Sequence, residues 1–247
     1  MAPKKSLSFL LLVLLASCST VYQPTQLIYD NYEIGVKQQK DSSLVQMLTP
    51  YRDSLRKSMG EVVGYAEQTL EKRQPSGTLG HFMADVMLHA GKQNFKVPVD
   101  AAFVNYGGLR INQLPKGPVT RSTVFELMPF ENMVVLQSVK GAVLQQFLDH
   151  IAMAGGWPVA GVTFQIKDKK AVNVLVNGQP LQMDKTYNIV NSDYVANGGD
   201  HATMLKDIPQ QNVGYLMRDA VFDYINYLKA AGKNITAQTE NRITYAQ

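Results

Sequence analysis

Ala101-Ala102-Phe103-Val104-Asn105-Tyr106-Gly107-Gly108-Leu109-Arg110 decides the reading of this chain. The apolar run Ala101–Val104 has the length and composition of a buried strand, and the spacing predicts a strand over 97–105. It delivers an amide, two glycines and a guanidinium to the strand's end, where open α/β sheets place their ligands. Paired glycines let the backbone turn sharply and approach a ligand closely. Asn105 offers both donor and acceptor, and Arg110 a planar fork for phosphate or hydroxyl oxygens.

Two later stretches repeat the design. Glu126-Leu127-Met128-Pro129-Phe130-Glu131-Asn132 precedes the strand-like Met133–Val139. Asn191-Ser192-Asp193-Tyr194-Val195-Ala196-Asn197-Gly198-Gly199-Asp200 carries a strand end into a second glycine turn. Each places an aromatic beside a polar turn, and two aromatic faces brought together can sandwich a flat ring. Asp200 is a carboxylate suited to two adjacent ribose hydroxyls. The parts describe a pocket for a nucleoside or nucleotide.

From about Gly60 to Tyr245 the chain resembles the C-terminal domain of the 5′-nucleotidases, through Asn-x-Gly-Gly-x-Arg, then Pro-Phe, then aromatic-x-Ala-x-Gly-Gly-Asp. The resemblance implies a mixed α/β domain with sheets covered by helices. It also implies that Phe130 and Tyr194 clamp the base, that Asn105 addresses it, and that Asp200 meets the ribose. Arg110 would meet the ribose and phosphate end, with Gly107, Gly108, Gly198 and Gly199 shaping the turns. A further arginine of the family precedes a Leu-Gly-Asn-like helix start, which by position is Arg73 ahead of Leu79-Gly80-His81. The chain departs from the pattern in three places: Tyr194 stands where Phe is usual, His201 where Gly is commoner, and His81 where Asn is usual.

Taken singly, these residues have plainer readings. Phe130 and Tyr194 read as core aromatics, Asp200 as a helix cap, and Asn105 and Arg110 as supports of their own turn. Their joint occurrence in family order favours the ligand.

Full-length members of that family carry an N-terminal metallophosphoesterase domain, for which 247 residues leave no room beside the C-terminal domain. Hydrolysis there uses two metal ions that clamp the phosphate and activate water. The four histidines here, His81, His89, His150 and His201, fall in no segment of that type. Asp85 and His89 share a helical face and read as a solvated polar pair, as do Asp149 and His150. The expectation is therefore a chain without catalytic or metal-ligating residues of its own. It would recognise a nucleoside or nucleotide and would need a separate metallophosphoesterase chain, with its divalent metals, for turnover. The alternative is a binding lipoprotein without catalysis.

Lys4 and Lys5, the apolar stretch Leu7–Leu15 and Ala16-Ser17-Cys18 predict a signal peptide over 1–17 ending in a lipobox, with Cys18 acylated. The chain's single cysteine sits at that position. Residues 18–45 read as a tether, with a short strand at Tyr32–Val36, and 46–247 as the domain. The implied location is the cell envelope, lipid-anchored. Loss of residues 1–17 leaves 22 basic against 20 acidic side chains, a balance that makes no case for nucleic-acid binding.

The remaining pattern predicts helices at 43–59, 79–94 (with Gly91 marking its end), 122–128 (capped by Ser122), 140–153 and 213–228. Strands are predicted at 61–66, 161–167, 171–176 and 187–191.

Overall fold

The computed structural model describes Asp30 and residues 41–238 and 240–246. The signal peptide, Cys18 and the short strand at Tyr32–Val36 lie outside the described residues. The helices are α1 (Ser42–Met59), α2 (Thr78–Asn94), α3 (Arg121–Leu127), α4 (Gly141–Met153), α5 (Asp193–Ala196) and α6 (Met217–Ala230). The first strands are β1 (Val62–Ala66), β2 (Leu70–Glu71), β3 (Ala101–Phe103), β4 (Gln113–Leu114), β5 (Gly117–Thr120) and β6 (Met133–Lys140). Then follow β7 (Val159–Ala160), β8 (Val162–Lys167), β9 (Lys170–Val176), β10 (Gln179–Pro180), β11 (Thr186–Ser192), β12 (Gln210–Leu216) and β13 (Ile243–Tyr245).

A five-stranded sheet in the order β12-β6-β11-β3-β7 organises residues 48–247. Strand β3 is apolar throughout because both of its faces are covered, whereas the edge strand β12 is largely exposed; period-two alternation sends neighbours to opposite sides. Ala102, Val104, Val134, Leu136 and Val190 pack in one core with α2 and α6. Ala101, Phe103, Val139 and Ile189 pack in the other, with α4 and a second sheet ordered β10-β9-β8-β13. The result is the expected mixed α/β architecture of sheets covered by helices. The Met83–Met87 stripe of α2 is core packing.

Four local expectations are corrected. Gly91 does not end α2; it lies inside the helix, where a Cβ would come within 2.6 Å of Val190, so its bareness admits the sheet. The strand expected over 97–105 is hydrogen-bonded as a strand only at Ala101–Phe103. Helix α3 is capped by Thr120 in a reciprocal box with Thr123, while Ser122 sits inside the first turn and bonds Glu126. The last helix begins at Met217 rather than Val213, because Gln210–Leu216 pairs with β6 through an irregular register. Pairing there outweighs the apolar spacing of Val213 and Leu216, which by itself reads as helical.

Helix α1 absorbs Pro50 without a break and has no buried residue; Leu48, Tyr51 and Leu55 are exposed.

Candidate functional site: a cleft at the strand ends

Register brings the three polar turns together. Strand β11 runs parallel to β3, with Ile189 opposite Ala101, so both deliver their following turns to the same end of the sheet. Strand β6 is antiparallel to β11, with Ser192 opposite Val134, so the segment before β6 arrives at that end too. Asp193 fastens the two: its Oδ1 accepts from the backbone N–H of Met133 at 3.0 Å and of Tyr194 at 2.8 Å.

The cleft so formed has a volume of ≈350 Å³, within the range of small-ligand sites. Asn105, Gly107, Gly108 and Arg110 line it from the first turn, and Phe130 and Asn132 from the second. Tyr194 and Asp200 come from the third. Phe130 and Tyr194 are 43% and 45% exposed, against the plainer reading of both as core aromatics.

The polar floor is tied into one network. Asp200 Oδ2 accepts from Asn105 Nδ2 at 2.7 Å, and Oδ1 from the Tyr194 hydroxyl at 2.8 Å. The same hydroxyl accepts from the Asp200 backbone N–H at 3.2 Å. Tyrosine in place of phenylalanine thus adds a clasp on the carboxylate while its ring stays exposed. Two glycines admit these side chains: a Cβ on Gly108 would meet Asn105 Oδ1 at 2.6 Å, and one on Gly199 would meet the Tyr194 ring at 2.6 Å. Asp200 and His201 hold φ of 48° and 63° in succession. A left-handed backbone costs a non-glycine residue roughly 1–2 kcal/mol, and here the bonds to Tyr194 and Asn105 hold it.

Arg110 is exposed, its guanidinium 5.4 Å from the Phe130 ring centroid, leaving most of its donors for an anionic or hydroxylated ligand. The remaining expected residues are placed as follows. Gly198 and Gly199 line an adjoining groove rather than the cleft. Arg73 lines a separate small crevice beside Lys72, Ser76 and His81, and pairs with Glu71.

Three further contributors are not among the site residues expected from the sequence, although Asn132 ends the stretch Glu126–Asn132. Asn132 lines the cleft directly. Arg218, buried, donates to the carbonyls of Met128, Pro129 and Phe130 at 3.3–3.4 Å and lies over the Phe125 ring, so it sets the loop that presents Phe130. Lys72 donates to the Leu109 carbonyl at 2.8 Å beneath the glycine turn; burial and the nearby Arg110 charge push its pKa below the usual lysine value. The lone signal for Arg218 and Lys72 was their charge, which surface residues share.

The polar pairs expected to be solvated are not. Asp85 forms a two-point ion pair with Arg242 at 2.8 and 3.0 Å, and His89 packs at a tilt against the rings of Tyr224 and Tyr227. Asp149 accepts from Gln145 and from the Ala171 backbone, and His150 meets Trp157 edge-on. Among the described residues, no group of three or more His, Cys, Asp or Glu side chains is placed to hold a metal ion.

A layered α/β domain with an aromatic-walled cleft at its strand ends defines the class. Residues 59–207 match the family described as 5′-nucleotidase, C-terminal domain, and the chain belongs to that family. It is 26% identical over 215 residues to a 5′-nucleotidase of Vibrio cholerae, covering 81% of this chain and 36% of that one. It is 28% identical over 220 residues to the trifunctional nucleotide phosphoesterase protein YfkN of Bacillus subtilis, covering 80% and 15%. Among solved structures, a 5′-nucleotidase precursor from Thermus thermophilus superposes with a TM-score of 0.71 at 27% identity, over 82% of this chain and 43% of that one. The chain therefore spans about a third, or less, of the length of the curated relatives named here.

Proposed function

We propose that this chain is the nucleotide-holding half of a 5′-nucleotidase, with a separate metallophosphoesterase chain supplying the metals and the water. The observation that carries this is the meeting of two exposed aromatic faces, Phe130 and Tyr194, with Asn105, Arg110 and Asp200 in one cleft. In this reading the base lies between the two rings, each stacked face contributing about 1–3 kcal/mol. Asn105 addresses the base edge. Asp200 retains acceptor capacity for ribose hydroxyls beyond its bonds to Tyr194 and Asn105. Arg110 faces the phosphate end, and the paired glycines keep the turns low enough for the ligand to enter; Arg73, paired with Glu71 in its separate crevice, does not line the cleft.

The chain's own side chains bind and orient; the metals, held on the partner chain, would polarise the phosphate and lower the pKa of the attacking water. The same cleft fits a second reading, in which the chain captures nucleosides or nucleotides without turnover. Acylation at Cys18, with residues 18–45 as tether and 46–247 as domain, would hold either version at a membrane of the cell envelope; mass spectrometry of the mature N-terminus tests this.

Calorimetric titration with adenosine and AMP, beside a phosphatase assay with divalent metal and the candidate partner chain, separates the readings. Binding by the chain, with turnover only when the partner is added, is the expected result. Binding with no turnover in either mixture would establish the capture protein. No binding would overturn both.

A further inference from the structure

The cleft has a neighbour. A groove of ≈740 Å³, about twice the cleft's volume, opens at the same end of the sheet. Gly107, Tyr194 and Asp200 line both spaces and so form the partition between them. Gly107 has no side chain to close the floor where the two meet. Phe130 and Arg110 line the cleft and not the groove; Tyr106, His150 and Met153 line the groove and not the cleft.

The groove has the make-up of a binding surface. Its floor is Trp157, 4% exposed and held edge-on by Phe147 and His150 at 5.8 and 5.5 Å. Met153, from the end of α4, is 60% exposed above it, a large apolar side chain left open to solvent among the described residues. His150 Nε2 is buried and has no hydrogen-bond partner among the described residues, an uncommon state for a buried polar atom. Gln74 is fixed by donating to the carbonyls of Ala154 and Gly156, both at 2.8 Å, and neither bond uses its oxygen. Apolar walls with a few fixed polar groups are the usual character of a small-molecule site.

The partition indicates what reaches the groove. On the nucleoside reading of the cleft, on which this inference rests, Asp200 meets the ribose hydroxyls. The groove therefore begins at the 2′,3′ edge of the ribose, not at its 5′ end. Its volume exceeds what a single phosphate would fill. Both oxygens of Asp200 already accept hydrogen bonds, which spreads their charge, and His201 beside it offers a ring donor to a linking phosphodiester.

We propose that the groove binds the second nucleoside of a 3′→5′-linked dinucleotide whose first nucleoside stacks between Phe130 and Tyr194. The second base lies over Met153 and Tyr106, and its polar edge faces Gln74.

The test is calorimetry on the full chain with adenosine, adenosine 3′-monophosphate, the 3′→5′-linked adenosine dinucleotide and its 5′,5′-diphosphate-linked counterpart. The 3′→5′ dinucleotide is expected to bind at least tenfold tighter than adenosine, with adenosine 3′-monophosphate giving only a small part of that gain and the 5′,5′ form none. Ala154→Trp, at an exposed groove position, and Met153→Glu should each abolish the gain and leave adenosine binding unchanged. Equal affinity for adenosine and the 3′→5′ dinucleotide would overturn the proposal, as would a gain that survives both substitutions. A full gain from the 3′-phosphate would also overturn it, by showing an anion subsite. Failure of adenosine itself to bind would instead sink the nucleoside reading, and this inference with it.

Discussion

The cleft and the polar cluster around His81 use polar side chains in opposite ways. In the cleft, aromatic faces and the Arg110 fork are left in solvent, and the bonds among Asn105, Tyr194 and Asp200 fix a surface. Around His81 polar groups satisfy one another and fix the fold. His81 Nδ1 donates to the Gln238 carbonyl at 3.0 Å, which leaves Nε2 to accept from the Ser76 hydroxyl at 2.6 Å. Burial, foremost, and the Arg242 charge hold the His81 pKa below the usual histidine value, against the pull of the Gln238 bond and of Glu240 and Asp85. Burial also works against the Arg242 charge, yet the bonds and charge of Asp85, then Glu240, raise its pKa above normal. A serine bonded to a histidine resembles nucleophilic machinery, but the crevice beside it holds only ≈10 Å³, room for no more than a water. Groups with shifted pKa values mark functional sites only on average; here they mark a buttress.

The comparison breaks first at the rings. Replacing Phe130 and Tyr194 together by alanine should lower adenosine affinity about 30-fold or more, from the loss of two stacked faces at about 1–3 kcal/mol each. The melting temperature should fall only slightly, through loss of the Tyr194 hydroxyl's bonds to Asp200, since both rings are exposed; calorimetry and a thermal melt read the two effects. An unchanged affinity would place the ligand elsewhere. Arg242→Ala should do the reverse. It leaves Asp85 without its partner and the Val159 carbonyl without its donor, at a cost of about 3 kcal/mol in denaturant unfolding, with nucleoside affinity preserved in the folded fraction.

Arg218→Met sharpens the contrast, because Arg218 belongs to the fold yet serves the site. Freed of one donor, the Met128–Phe130 loop should loosen, and adenosine affinity should fall about tenfold, or about 1.4 kcal/mol, with the Phe130 ring intact. Affinity equal to the parent protein would show that packing, not Arg218, seats the ring. The smallest effect concerns pH. With its folded pKa below the unfolded value near 6.5, His81 contributes stability that is full above that value. It is lost as pH falls from there through the folded pKa. Unfolding curves between pH 7.5 and about 5 should show this decline, and His81→Asn should make it shallower. An unchanged slope in that variant would remove His81 as its source.

The sequence carried the strands and the site better than it carried the supports. Ala101–Phe103 is legible because a strand covered on both faces is apolar, and Met133–Lys140 and Thr186–Ser192 because each carries an apolar run, Met133–Leu136 and Ile189-Val190, beside a turn signal. The Gly-Gly turns are legible because few other residues tolerate such contacts. Arg218 is invisible, since its role is to meet three carbonyls about 90 residues away in the chain. Gly91 misleads for a related reason: a local stop signal is reused for close helix–sheet approach. The onset of the last helix fails because Val213 and Leu216 satisfy a helical spacing while tertiary pairing makes them strand. The Asp85–His89 spacing is equally deceptive, as its partners, Arg242, Tyr224 and Tyr227, come from the far C-terminal part of the chain.

The parallel pairing of β11 with β3 has a consequence for how the molecule is assembled. It joins segments 88 residues apart, as the Asn188–Asp100 bond beside it records, and contacts of that span close late and slowly in folding. The three turns of the cleft converge only when that pairing exists, so a partly folded chain has no nucleoside site. Ligand capture thus doubles as a readout of completed folding. By mass action a nucleoside at about 100 times its dissociation constant would add about 2.7 kcal/mol to the stability of the finished state, drawing late intermediates forward.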